Sequence, residues 1–258
     1  MDSLYWTSLN PKVKLKQTNK LFWNKYAYKV KLWIPCGNYV SSYLSHRYRD
    51  VDSIEYVKRR MRNKTELFYW HSNPLMQKRV EEREQNLAVV KANPTVLEVL
   101  KKSKLETDIQ FRVEEPYVSL YHTKEEVLKN VINLIPKQSL NKILLEVHGL
   151  TDSEHKRKLK PNVILNSRIG YKHKVYVRLT PNIRQHGPRI VQYLKSLGKE
   201  HAYYTDAFRL ELQHRGHSWH SVTYFYCNDP GVLDFINLIC PGACSLDNVY
   251  KLVPKKHK

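Results

Sequence analysis

Two stretches of the chain alternate apolar and polar residues with the period of a half-buried strand. In the first, from Tyr28 to Ile34, Val30, Leu32 and Ile34 point one way; in the second, Val175, Val177 and Leu179 alternate with Lys174, Tyr176 and Arg178. Downstream of the second strand, Ile190, Tyr193, Leu194 and Leu197 keep helical spacing from Pro188 until Gly198 stops the run. Strands at Phe208–His214 and Ser221–Cys227 follow, joined by a turn containing Arg215-Gly216. Asp229 and Pro230 read as N-cap and first-turn proline of a helix carrying Val232, Leu233, Ile236 and Ile239, and a strand over Asn248–Val253 closes the set. Behind the first strand, the pattern predicts a helix over Val51–Arg62 and hairpin strands over Asp108–Glu114 and Tyr117–Thr123. A helix over Glu125–Leu134 and a strand over Ile143–Val147 complete that half. An extra span at 64–105 separates its helix from its hairpin and reads as largely helical, at Met76–Val90 and Thr95–Lys102.

The two halves share more than a pattern. Phe111-Arg112-Val113-Glu114 recurs as Phe208-Arg209-Leu210-Glu211, and Val118-Ser119-Leu120-Tyr121-His122 as Val222-Thr223-Tyr224-Phe225-Tyr226. Ile132-Asn133-Leu134-Ile135 returns as Ile236-Asn237-Leu238-Ile239, and Ser139-Leu140-Asn141 as Ser245-Leu246-Asp247. A duplication fixes architecture before any motif is weighed. The expected fold class is therefore α+β: two tandem lobes of ferredoxin-like βαββαβ order, from an internal duplication, with a helical insertion in the first. The expected organisation is a basic arm at 1–22, the first lobe at 23–150, a basic linker at 151–170, the second lobe at 171–254 and a basic tail at 255–258.

Charge changes the picture most. Of 258 residues, 44 are Lys or Arg and 24 are Asp or Glu, a formal net charge of +20. Such a field attracts nucleic-acid backbones, and an acidic protein is the other partner it suits. The charge is spread over Lys12–Lys20, Arg59-Arg60-Met61-Arg62 with Lys64, Lys101–Lys104, His155–Lys160 and Lys255–Lys258. No apolar run approaches the length of a membrane span, and Met1-Asp2-Ser3-Leu4-Tyr5-Trp6 lacks signal-peptide form, so a cytoplasmic or nuclear protein is expected, with no membrane partner. Cys36, Cys227, Cys240 and Cys244 are too few for a disulfide framework, and reduced thiols are expected.

Strand alternation assigns an open face to each sheet, opposite the Val/Leu/Ile set. Lys31, Trp33, Arg112 and Tyr121 are expected there in the first lobe, and Tyr176, Arg178, Arg209 and Phe225 in the second. Aromatics among cations suit single-stranded nucleic acid, whose bases stack on rings while cations follow the backbone. This surface resembles that of RNA-recognition modules; Val175–Leu179 echoes their first-strand signature and Arg215–Val222 their third. Arg59, Arg60, Arg62, Lys156, Arg157 and Lys158 are expected to add backbone contacts. Glu114 and Glu211 share the predicted faces and should pair with Arg112 and Arg209. The alternative use of these faces is packing between lobes.

No metal or cofactor is expected: no acidic pair stands out for two-metal chemistry, there is no Gly-x-x-x-x-Gly-Lys, and only 8 glycines are present. Two tandem lobes in a basic chain also resemble the repeat-processing RNA endonucleases of CRISPR systems. That resemblance implies metal-independent general acid–base cleavage, with His214, His217 or His220 as the recruited histidine. Where that family has a glycine-rich loop near its C-terminus, this chain has Cys240-Pro241-Gly242-Ala243-Cys244. A third reading is a viral or phage structural protein that sits on packaged nucleic acid or binds an acidic host protein.

Overall fold

The computed structural model describes residues 1–35, 40, 41, 44, 94–114, 116–177, 181–213 and 223–255. These residues form an α+β protein with two five-stranded mixed sheets. The chain divides into two compact units, Met1–Thr18 with Lys25–Ser153, and Asn19–Asn24 with Glu154–Lys258.

In the first unit, α1 (Ser3–Leu9) leads into β1 (Lys14–Gln17) and β2 (Tyr28–Trp33). Helix α2 (Pro94–Glu106) precedes the hairpin β3 (Gln110–Glu114) and β4 (Tyr117–His122). Helices α3 (Glu125–Asn133) and α4 (Lys137–Ile143) then lead to β5 (Leu144–Gly149). The sheet order is β1-β5-β2-β4-β3, parallel between β1 and β5 and antiparallel elsewhere. Val30, Leu32, Val118, Leu120 and Val147 occupy one sheet face, and Leu97, Leu100, Leu128, Ile132 and Leu140 of the helices close the core with them. Each fully buried side chain of this size contributes about 1.5–3 kcal/mol.

The second unit repeats the arrangement of strands. After α5 (Ser153–Lys158) come β6 (Val163–Ser167), β7 (His173–Val177), α6 (Pro181–Ser196) and β8 (Ala202–Tyr204). Then follow α7 (Asp206–Gln213), β9 (Thr223–Cys227), α8 (Val232–Ile239), a 3-10 turn (Leu246–Asn248) and β10 (Val249–Pro254). The order β6-β10-β7-β9-β8 is again parallel only at its first pair. Val175 and Phe225 meet Ile190, Leu194, Phe208, Leu212, Leu233 and Ile236 in the core.

Several sequence expectations are corrected here. Residues 208–213 are not a strand: Phe208 and Leu212 are buried one helical turn apart in α7, whose first turn Thr205 caps by accepting the Phe208 N–H at 3.2 Å. The second-lobe strand expected there is β8, and Phe208–Glu211 therefore has no structural counterpart in the strand Phe111–Glu114. Helix α6 begins at Pro181 and carries Pro188 in its interior. Helix α8 starts at Val232, because Asp229 spends its carboxylate on the Gly231 N–H at 2.9 Å, in a turn before the helix.

The expected basic arm is built into the fold. Trp6 is 0% exposed, its indole N–H donates to Glu125 at 2.8 Å, and β1 is an edge strand. Segment 151–170 is likewise not a bare linker, since it supplies α5 and the edge strand β6. The predicted elements Val51–Arg62 and Met76–Val90 lie outside the described residues; Thr95–Lys102 lies within α2.

Candidate functional site

The register of the second sheet decides which side chains share its open face. Directly paired residues project to the same side. Tyr250 pairs with Lys174, Lys174 with Tyr226, and Tyr226 with Tyr203, so one row runs across four strands. Tyr176 pairs with Tyr224 in the adjacent row. Every position in both rows is tyrosine or lysine, and no carboxylate interrupts them.

The rings touch. Tyr171, Tyr203 and Tyr226 lie within 23° of parallel, with centroids 6.1–6.2 Å apart. That separation is an offset arrangement rather than a closed face-to-face stack. Tyr176 meets Tyr224 and Tyr250 edge to face at 5.8 and 5.2 Å. The Lys174 ammonium stands 3.5 Å from the Tyr224 centroid, 4.9 Å from Tyr176 and 5.6 Å from Tyr226, positions that favour cation–π attraction. Burial, reinforced by Tyr224, pushes the Tyr226 hydroxyl up to about 12. It is a neutral hydrogen-bond donor at physiological pH. Tyr203 is 39% exposed and the other rings are half-buried, so the face offers partly open aromatic surface.

The first sheet's open face carries more charge and fewer rings. Its rows are Lys16–His148–Lys29–Tyr121–Gln110 and Lys14–Glu146–Lys31–Ser119–Arg112, followed by Trp33–Tyr117–Glu114. Lys29 stands 5.6 Å from the Tyr121 ring and Lys31 3.7 Å from Tyr117. Two acids temper the cations. Glu114 pairs with Arg112 at 2.5 Å on the same strand, as expected. Burial works against charge on Glu146, but hydrogen bonds from Lys16 and His148, with the charges of Lys16 and Lys31, hold its carboxyl at about 2. Burial pushes His148 below its ordinary value against the opposing pull of Glu146.

The predicted site residues separate into three groups. Lys31, Trp33, Arg112 and Tyr121 share the first sheet's open face, although Tyr121 is only 4% exposed, and Tyr176 lies on the second's. Phe225 does not: it pairs with Val175 and is 0% exposed, within the core. Arg209 is also removed from the sheet, on α7, where it pairs with Asp206 at 3.3 Å rather than with Glu211. Lys156, Arg157 and Lys158 are exposed on α5, Lys158 paired with Glu154. Arg59, Arg60, Arg62, Arg178, His214, His217 and His220 lie outside the described residues.

Sequence reasoning missed Lys29, Lys174, Tyr203, Tyr224, Tyr226 and Tyr250. The alternation of Tyr224 and Tyr226 about Phe225 was the signal that could have found two of them.

Cys227, Cys240 and Cys244 are buried and free. Burial raises the Cys227 and Cys244 thiols to about 12, so they pack as neutral groups. Among the described residues no cluster of His, Cys, Asp and Glu is placed to hold a metal, and no helix is long and apolar enough to cross a membrane.

Fold and site thus define an α+β protein with one tyrosine-rich and one cationic sheet face. Compared with protein-family models, curated proteins and solved structures, the chain matches none of them.

Proposed function

We propose that this protein binds single-stranded nucleic acid, with bases stacking on the tyrosine face of the second sheet and phosphates drawn to the lysines beside those rings. The observation that carries this reading is the Tyr250–Lys174–Tyr226–Tyr203 row, in which aromatic rings and a cation share an acid-free surface. Duplex DNA hides its base faces, whereas a single strand presents them to such rings. The formal charge of +20 supplies the attraction that any strand would feel first.

The same reading includes a tandem ferredoxin-like architecture. Without the edge strands β1 and β6, the sheets run β5-β2-β4-β3 and β10-β7-β9-β8, antiparallel throughout. Each then has its chain-order first strand between the fourth and the third, the arrangement of a split βαββαβ unit. A duplication is supported by one recurring detail: Lys29 over Tyr121 and Lys174 over Tyr226 are both at 5.6 Å, on equivalent strands.

Fluorescence anisotropy with single-stranded and duplex oligonucleotides of equal phosphate count, across a salt series, tests the proposal. Tighter binding to the single strand, with affinity falling steeply as salt rises, is expected. Equal affinity for strand and duplex, or no binding at low salt, contradicts it.

A further inference from the structure

Residues 19–24 leave the N-terminal part of the first unit's chain and belong to the second unit. The Asn19 carbonyl accepts the Leu165 N–H at 2.8 Å, beside β6. Asn24 and Asn162 exchange hydrogen bonds, the Asn162 N–H donating to Asn24 Oδ1 at 3.2 Å while the Asn24 amide donates back to Asn162 Oδ1. Trp23 and Asn24 both take positive φ, 48° and 56°, which turns the chain sharply. This strap delivers Lys20 to the tyrosine face. Its ammonium donates to the Tyr176 hydroxyl at 3.4 Å and stands 5.7 and 5.8 Å from the Tyr176 and Tyr250 centroids.

Lys174 approaches the same Tyr176 ring, at 4.9 Å. Both ammonium groups thus stand within 5.7 Å of the centroid of one aromatic ring. None of the ion pairs among the described residues involves either lysine. Lys20 stays exposed along its length, yet desolvation around its ammonium pushes its pKa down. An anion beside Tyr176 would compensate the two ammonium charges, and the Tyr176 hydroxyl, accepting from Lys20, keeps its own hydrogen to donate. Tyr226 is Lys174's direct cross-strand partner, about 4.8 Å away in strand spacing. A nucleotide stacked on Tyr226 would reach Lys174 with its own backbone.

Resting on the function proposed above, we propose that Lys20 and Lys174 form a seat for a backbone phosphate of the bound single strand, completed by the strap at 19–24. The ligand group is a phosphodiester with several acceptor oxygens, which suits two ammonium groups and a phenol. The strap is thus part of the binding surface, and Lys20 is a ligand-contacting residue supplied from a distant point of the chain.

The test uses the full chain, a labelled short oligothymidylate and a labelled abasic strand of the same phosphate count, each titrated across a salt series. Lys20→Gln and Lys174→Gln are expected to reduce the slope of log affinity against log salt by about 0.7 each, on both probes. Lys20→Arg should keep the wild-type slope, which separates lost charge from a disturbed fold. Tyr226→Leu should weaken the oligothymidylate and leave the abasic strand unchanged. An unchanged slope in Lys20→Gln overturns the seat while the stacking reading stands. Tighter binding by Lys20→Gln overturns it too, because Lys20 would then be a plug over the rings. A wild-type protein that binds neither probe removes the underlying function itself.

Discussion

Lys174 and the tyrosines around it set the chemistry at the scale of single residues. A lysine ringed by phenols attracts phosphate without an ion-pair partner among the described residues to compete, and the raised hydroxyl of Tyr226 stays neutral as pH rises toward 10. Neighbouring residues on β9 have opposite duties. Replacing Tyr226 or Tyr203 by Leu should weaken single-strand binding by about 1–3 kcal/mol per lost stack, with little change in the urea midpoint. Replacing Phe225 by Ala should instead cost about 3–5 kcal/mol of stability through the cavity it leaves, since Phe225 is fully buried against the second core. Anisotropy and urea denaturation on the same three variants check both halves. A Phe225→Ala protein of wild-type stability would contradict the register on which the tyrosine face depends.

Elements hold these residues in place, and two of them carry sharp predictions. Helix α6 passes so close to α7 that a Cβ on Gly187 would clash with the Leu212 carbonyl oxygen. Alanine normally gains up to about 1 kcal/mol over glycine in a helix, but overpacking here costs about 1–3 kcal/mol, so Gly187→Ala should lower the urea midpoint. The β1–β5 pair makes the first unit sensitive to acid. His148 is held below its ordinary 6.5, so the folded form binds fewer protons than the unfolded one, and stability is lost as pH falls from 6.5 toward the folded value. Glu146 loses its contribution in turn between its ordinary 4.5 and about 2. Thermal melts should decline through both windows, and Lys16→Gln should flatten the lower one. Much of this layer was legible in the sequence: β2, β4, α3, β7 and β10 follow from alternation, helical spacing and turn residues. The errors have physical causes. Matching Val118 to Val222 puts Tyr121 on Phe225, but it is Leu120 and Phe225 that occupy like positions, each opposite a buried valine of the central strand. A slip of one residue turns every side chain to the other face, so the sequence match puts Phe225 outside and hides Tyr226. Phe208–Glu211 looks like Phe111–Glu114 in residue type, yet Thr205 and Asp206 start a helix there. Strand β8 has only three residues, too few to show a period.

At the scale of the whole molecule, the proposed function has a formal charge of +20 bring polyanions near and the sheet faces select among them. The first sheet offers mainly cations and the second mainly rings, a division invisible to composition because it depends on register. The strap at 19–24 brings Lys20 to the second face from a distant point of the sequence, and nothing local in Asn19–Asn24 announces that placement. The central claim is that bases lie on the second sheet, and ultraviolet cross-linking of the 258-residue chain to a single-stranded oligouridylate, followed by peptide mapping, tests it most directly. The account predicts cross-links at Tyr203, Tyr224 and Tyr226, with loss of signal when salt is raised. Cross-links confined to the first unit or to residues 255–258, with the second sheet's tyrosines untouched, would contradict it.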